Sequence, residues 1–176
     1  MGIWFRTHLL WFCQWCNNSF FGHGIRNSVW LFPFVEIFHL LALGVLGGTI
    51  LVLNLRLLGI GFRGGHTADL ARDTRPWMVG GLIVMLVSGF LLFSTEAVKM
   101  YGNWAFRWKM IFLLTAILFT FTIHLKVVMA DESQVTRASQ VLVALVSLLL
   151  WAGVGLGGRA IGYVTTSTSS VTIPAP

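Results

Sequence analysis

Four long apolar runs, separated by short polar segments, dominate the hydrophobic pattern of the chain. They cover residues 29–58, 76–98, 104–129 and 139–161. A helix needs about 20 apolar residues to cross a bilayer, so each run is long enough. Pro33 falls in the first turn of the first run and Pro76 near the start of the second, where a missing N–H does little harm. The pattern predicts an all-α membrane protein built as a bundle of four transmembrane helices.

The segment before these runs, residues 1–28, is aromatic but interrupted by polar residues. Its apolar stretch is too short to span a bilayer, and no small-residue cleavage site follows a long apolar core, so we do not identify a signal peptide. Trp4, His8, Trp11 and Trp15 recur at helical spacing and share one face. Because Trp favours headgroup depth, we predict an N-terminal amphipathic helix that lies in the membrane interface.

The polar end of the chain, residues 162–176, is rich in Thr and Ser and ends in proline. Such a segment has too little apolar surface to bury, so we predict a disordered tail. The expected organisation is an interfacial helix and linker over residues 1–28, a four-helix domain over 29–161, and this tail over 162–176.

Glycines cluster inside two of the apolar runs. They are Gly44, Gly47 and Gly48 in the first run, and Gly153, Gly155, Gly157 and Gly158 in the fourth. The second group follows no strand and opens no helix, which argues against a dinucleotide-binding loop. Small residues let membrane helices approach closely, so we interpret both groups as packing surfaces.

Composition and charge agree with a chain that meets lipid. Hydrophobic residues make up 56% of it and charged residues only 10%, whereas soluble domains carry about 25% charged residues. The formal net charge is +6, but the basic residues lie mostly at the ends of apolar runs, so we expect no nucleic-acid partner. The loop over 59–75 is rich in arginine and is predicted to be cytoplasmic. Both termini of a bacterial inner-membrane protein would then be periplasmic.

Ionisable residues inside the apolar runs are the candidate functional residues, because burying them in a membrane is costly. Glu36 and His39 are three residues apart on one helical face, and Lys109 and His124 lie in the third run. Helical depth predicts two polar layers. The outer layer comprises Glu36, His39, Glu96, Lys99, Tyr101, Asn103 and Lys109, and the inner layer Asn54, Arg56, Arg75, His124 and Lys126.

The outer layer has two interpretations that the residues alone leave open. His39 and Lys109 are candidate axial ligands of a haem iron, with Glu36 orienting His39 and with His39 as the metal ligand. His39 and His124 differ too much in depth to hold one iron. Alternatively, the polar residues form a hydrogen-bond network that holds the bundle together, and His124 in particular suits this structural role. Glu36-x-x-His39 also matches half of a di-iron motif, but no second copy exists.

Cys13 and Cys16 form the spacing CxxC. That spacing suits a redox pair or half a zinc site, yet the chain has no second pair. We favour two small apolar residues on the interfacial helix.

Several strings resemble a family of uncharacterised bacterial four-helix inner-membrane proteins. They are the stretch from Trp30 through Glu36 and His39 to Gly44, then Gly48-Thr49 and Asn54 to Gly59, Tyr101 to Lys109 with His124, Trp151 to Gly153, and Gly158-Arg159. The resemblance covers residues 29–163 and leaves the cysteine pair outside. Members of that family often have Asp where this chain has Asn54, and the resemblance implies no activity.

A second, shorter likeness is to four-helix membrane protoporphyrinogen oxidases and copper-resistance D proteins. The oxidases have a His in the first span and a Lys opening the third, which His39 and Lys109 match, and this implies haem b between them. The sequence thus favours a haem-b-binding redox or anchor protein, or else an accessory or assembly subunit of a larger membrane complex or homo-oligomer. No constellation of catalytic residues identifies an enzyme.

Overall fold

The computed structural model of the protein describes residues 2–60, 67–130 and 135–164, and these fold into helices without strands. The elements are α1 (Gly2–Asn18), α2 (Phe20–Asn27), α3 (Leu31–Leu58), α4 (Thr67–Thr95), α5 (Ala97–Tyr101), α6 (Trp104–Phe119), a π turn (Thr120–His124), α7 (Leu125–Met129) and α8 (Arg137–Val164). Helices α3, α4 and α8 and the continuous segment Trp104–Met129 are each long and apolar enough to cross a membrane. The predicted all-α fold with four such helices is confirmed.

Local signals explain where two of these helices begin and end. Asn103 caps α6, because its Oδ1 accepts from the backbone N–H of Ala105 at 2.9 Å. Helix α3 ends at Gly59, whose φ of 76° lies in the left-handed region that favours glycine. Arg137, at the start of α8, donates to the carbonyls of Leu57 and Leu58 and so satisfies the exposed end of α3.

Helix α4 begins earlier than the prediction of a loop over residues 59–75 allowed. It starts at Thr67, so Pro76 lies inside the helix and not near its first position. The lost hydrogen bond falls in the polar part of α4 that precedes its apolar window, where water can replace it. The helix also ends earlier than predicted, at Thr95, and α5 follows as a short separate helix.

The third membrane segment is not one regular α-helix. Residues Thr120–His124 form a π turn, in which the Leu125 N–H reaches the Thr120 carbonyl. A π turn widens the helix locally and changes the direction in which later side chains point. His124 therefore points differently from the expectation for an ideal helix.

The bundle pairs α3 with α4 and α6 with α8, and α3 also packs on α8. The α3–α4 contact is close at Gly81, where a Cβ atom would lie 3.2 Å from the Leu46 nitrogen. The α6–α8 contact is close at Gly153, where a Cβ atom would lie 2.7 Å from the Phe112 ring. The central core around these contacts is entirely apolar and includes Ile50.

The glycines of α3 make no close helix contact within the part of the chain that the structure describes. A Cβ atom at Gly44, Gly47 or Gly48 would have nothing within 4 Å. Gly155 of α8 is equally open. The α3–α4 approach depends instead on a glycine of α4.

The N-terminal segment forms two helices where one was predicted. Ser19 separates them, and its side chain accepts from the Gly22 N–H to cap α2. Cys13 and Cys16 of α1 are buried and pack on Ala97 of α5. Helices α1 and α2 are therefore docked on the corner between α4 and α5. The predicted tail begins later than expected, since α8 continues to Val164, and the rest of it lies outside the described residues.

Candidate functional site

His39 of α3 is held against α4 by a hydrogen bond. Its Nδ1 lies 2.9 Å from the Ser88 hydroxyl. Gly89, the next residue, makes room for the ring, because a Cβ atom there would lie 3.1 Å from the His39 Cε1. The Nδ1–Cε1 edge of the imidazole therefore faces α4.

The bonds of Ser88 identify which nitrogen of His39 carries the proton. The Ser88 hydroxyl donates back to the Val84 carbonyl, with an oxygen–oxygen distance of 2.6 Å. Its single hydrogen is then engaged, so Ser88 accepts from the Nδ1–H of His39. Nε2 consequently carries the free lone pair, which is the arrangement a histidine ligand needs.

Lys109 of α6 lies near His39 and against α8. A Cβ atom at Gly157 would lie 3.1 Å from the Lys109 Cβ, and one at Gly158 would lie 3.5 Å from Nζ. The lysine stem therefore runs across a surface made of glycine. Its ammonium group is close enough to His39 to interact with it electrostatically.

Glu36 is exposed, one turn before His39, and its charge also acts on the imidazole. The cluster formed by His39, Ser88, Gly89, Lys109, Gly157 and Gly158 is called the outer cluster below; it draws on all four membrane segments. Two of its six members, Ser88 and Gly89, were not identified as site residues from the sequence. For Ser88 the available signal was a polar residue inside an apolar helix.

The other predicted members of the outer layer are engaged elsewhere. Glu96 and Lys99 pair with each other at 3.2 Å on the exposed surface. Asn103 caps α6 and donates to the Ile161 carbonyl. Tyr101 lies under the guanidinium of Arg107. The predicted layer is thus divided, and only its histidine, lysine and glutamate lie together.

The members of the outer cluster are only partly covered. His39, Lys109, Gly89, Gly157 and Gly158 are half-buried, whereas Ser88 is buried. Full burial in α3 begins only at Ala42, and in α8 it ends at Val154. The outer cluster therefore lies between the apolar core and the end of the bundle, where Thr95 and Asn103 are buried again.

A second polar cluster lies in the other half of the bundle, and four of its five residues are buried. His124 Nε2 lies 2.9 Å from Asn54 Oδ1, and the Asn54 amide donates to the Ser147 hydroxyl at 3.1 Å. Trp151 of α8 donates to Thr120, the first residue of the π turn. These five residues are called the inner cluster below. The predicted proximity of Asn54 and His124 is borne out by this contact.

The inner cluster also contains a polar atom without a partner. Because the Asn54 amide donates to Ser147, its oxygen accepts from the Nε2–H of His124, and the lone pair of His124 Nδ1 is unused. Nδ1 is the one fully buried side-chain nitrogen or oxygen without a hydrogen bond among the described residues. Of the remaining predicted members, Arg56 donates to the Thr67 hydroxyl at 3.4 Å, and Arg75 and Lys126 are exposed.

No group of three or more His, Cys, Asp or Glu side chains is arranged to hold a metal ion within residues 2–60, 67–130 and 135–164. His39 and His124 belong to separate hydrogen-bond networks.

The cysteine pair suits the structural interpretation better than a reactive one. Both thiols are free and buried, and burial raises the pKa of each. Cys16 raises the pKa of Cys13 further. A thiol with a raised pKa is a poor nucleophile and a poor metal ligand.

Comparison with known proteins identifies a family and no closer relative. A family of unknown function (DUF6644) matches residues 12–164, so the chain belongs to that family. The match includes Cys13 and Cys16, which the narrower resemblance had left out. Comparisons with curated proteins and with solved structures return no match.

Proposed function

We propose that this chain is a multi-pass protein of the bacterial inner membrane that binds haem b at the outer cluster for a redox or anchoring role. Both termini lie on the periplasmic side, so that the outer cluster faces the periplasm. The observation that carries the proposal is the contact between His39 Nδ1 and the Ser88 hydroxyl at 2.9 Å. Ser88 holds Nδ1, and Nε2 keeps a lone pair in a half-buried part of the bundle.

His39 would hold the haem iron in this proposal, and Ser88 is its positioning residue. A hydrogen bond at Nδ1 fixes the ring and raises the basicity of the ligating nitrogen. The position suits an amphiphilic group, because His39 lies about 12 Å along α3 from its first residue. The donor chemistry of His39 and the half-burial of its side chain both fit haem.

Lys109 has one of two roles toward the same group. A neutral amine would help to hold the iron, and an ammonium would pair with a carboxylate of the haem. Its stem can reach in either case, because Gly157 and Gly158 leave the surface of α8 free of side chains. Bound haem would supply one-electron chemistry, with a potential set by its axial ligands and their hydrogen bonds.

The test is an absorption spectrum of the detergent-purified full chain, expressed with added haem precursor, oxidised and then reduced with dithionite. We expect a Soret band and a reduced α-band that are lost in His39→Ala. Lys109→Ala distinguishes the two roles. Loss of a low-spin spectrum indicates ligation, and an unchanged band with weaker haem retention indicates a propionate contact. A flat spectrum for the unmodified chain would refute the proposal.

A glycine pair on α4 provides a matched control. A Cβ atom at Gly89 would press on the His39 ring, whereas one at Gly80 would meet nothing within 4 Å. Gly89→Ala should therefore shift the Soret band or weaken it, and Gly80→Ala should leave it unchanged. Equal effects of the two variants would mean that His39 is not the ligand.

The alternative function is a non-enzymatic accessory or assembly subunit. It is favoured by the open face of α3, where Gly44 and Gly48 lie one turn apart without a neighbour. Small residues at that spacing suit a second membrane helix, from a partner protein or another copy of the chain. Co-purification of a stoichiometric partner that is lost in Gly44→Leu, together with a flat spectrum, would favour this function.

A further inference from the structure

Helix α1 has one buried face and one exposed aromatic face. Cys13 and Cys16 are 4% and 1% exposed, whereas Trp11 and Trp15 on the other side are 66% and 59% exposed. Residues 8–18 contain no Asp, Glu, Lys or Arg. Such a helix face is unusual in contact with water, because it would expose large aromatic side chains on a segment that has no charged residue.

The exposed face of α1 is fixed relative to the bundle. Arg26 of α2 donates to the Asn17 side chain at 2.8 Å and to the Thr95 carbonyl of α4 at 3.3 Å. Gly22 lies so close to α4 that a Cβ atom there would be 2.7 Å from the Ser94 carbonyl oxygen. The position of α1 is therefore determined by α2, α4 and α5 together.

The same end of the bundle carries further exposed tryptophans. Helices α3 and α6 begin there, α4 ends there, and α5 connects α4 to α6. Trp30 before α3 and Trp104 and Trp108 of α6 are 85%, 59% and 55% exposed. Indole rings collect where hydrocarbon meets headgroups, so these side chains mark one edge of the bilayer. These tryptophans form a belt at one end of the bundle. Since α1 packs on α5, the exposed aromatic face of α1 lies in the same belt.

We propose that α1 lies in the bilayer interface, with Trp11 and Trp15 inserted at the boundary between headgroups and acyl chains. The partner of this surface is lipid and not protein. Its effect is to anchor the α4–α5 corner at a fixed depth beside the outer cluster. The inference is independent of haem, because it uses only the N-terminal helices and the belt of exposed tryptophans.

The experiment compares tryptophan emission of the full chain in phosphatidylcholine vesicles with that of the double variant Trp11→Phe/Trp15→Phe. The difference isolates the two indoles, and circular dichroism verifies that both proteins are folded. Lipids brominated near the headgroup or near the chain ends report depth, and aqueous acrylamide reports water. Trp77→Phe is the control, because that indole is exposed near the other end of the bundle.

We expect the difference emission to be quenched by bromine near the headgroup at least about twofold more than by bromine near the chain ends. Strong quenching by acrylamide without quenching by lipid would mean that the face meets water. Protection from both would mean that a protein covers it. Either of these two results overturns the proposal, and neither affects the test for haem.

Discussion

Replacing Asn54 with leucine should destabilise the bundle, because the side chain has two hydrogen-bond partners in a site that excludes water. Leucine has the same number of side-chain heavy atoms, so the change removes hydrogen bonds without creating a cavity. It leaves the Nε2–H of His124 and the hydroxyl of Ser147 without their partner. A buried polar group that loses its hydrogen-bond partner costs about 1–3 kcal/mol. We expect the free energy of unfolding to fall by an amount in that range.

A double-mutant cycle with His124→Phe separates the hydrogen bond from other effects of either change. Interhelical hydrogen bonds in membranes contribute about 0.6 kcal/mol on average and up to about 1.7 kcal/mol. The expected coupling between positions 54 and 124 is therefore about 1 kcal/mol. Reversible unfolding in mixed micelles, at several denaturant concentrations, measures all four proteins. Asn54→Asp is a second comparison, since its carboxyl keeps an oxygen for Nε2. Zero coupling would refute the reasoning.

Three further predictions concern packing, a helix end and the thiols. Gly153→Val should destabilise the bundle by about 1–3 kcal/mol, because its side chain would overlap a phenyl ring of α6, whereas Gly155→Ala should be nearly neutral in the same unfolding assay. Arg137→Gln should release the last turn of α3, which faster amide hydrogen exchange there would detect. Cys13 and Cys16 have raised pKa values, so their protons stay bound when an unfolded chain would release them, and stability should fall as the pH rises through the ordinary thiol pKa. A Cys13→Ser/Cys16→Ser variant should lose this alkaline slope.

The membrane helices were predictable because long apolar runs leave few alternatives. Segment boundaries were less predictable, as Pro76 illustrates. Proline near the edge of an apolar run suggested a helix start, yet the polar residues before it extend α4 to Thr67. Helix propensity gives the cost of an internal proline, but water at the membrane surface reduces that cost. The amino-acid sequence alone does not show how large this reduction is.

The pairing of Asn54 with His124 was predictable only in part. Both residues were expected at one depth, because helical rise is regular. The direction in which His124 points depends on the π turn from Thr120 to His124, which ideal helical spacing does not include. Ser147 and Trp151 were missed because serine and tryptophan are common in membrane helices and carry no distinctive spacing.

The glycine that allows α3 and α4 to approach closely was not predicted, for a related reason. A small residue permits contact but does not specify which helix makes it. Gly81 of α4 forms the α3–α4 contact, whereas Gly44 and Gly48 are exposed. Which face of a helix is covered is decided by the whole arrangement of neighbours.

The two membrane histidines show how environment, and not residue type, separates a candidate ligand from a structural group. Each has one ring nitrogen engaged by a neighbouring helix and one with a free lone pair. At His39 that lone pair belongs to a half-buried side chain. At His124 it belongs to a fully buried side chain and has no hydrogen-bond partner. A cluster of buried apolar residues lies between the two histidines. Ligand binding should therefore depend on the outer cluster, and stability on the inner one.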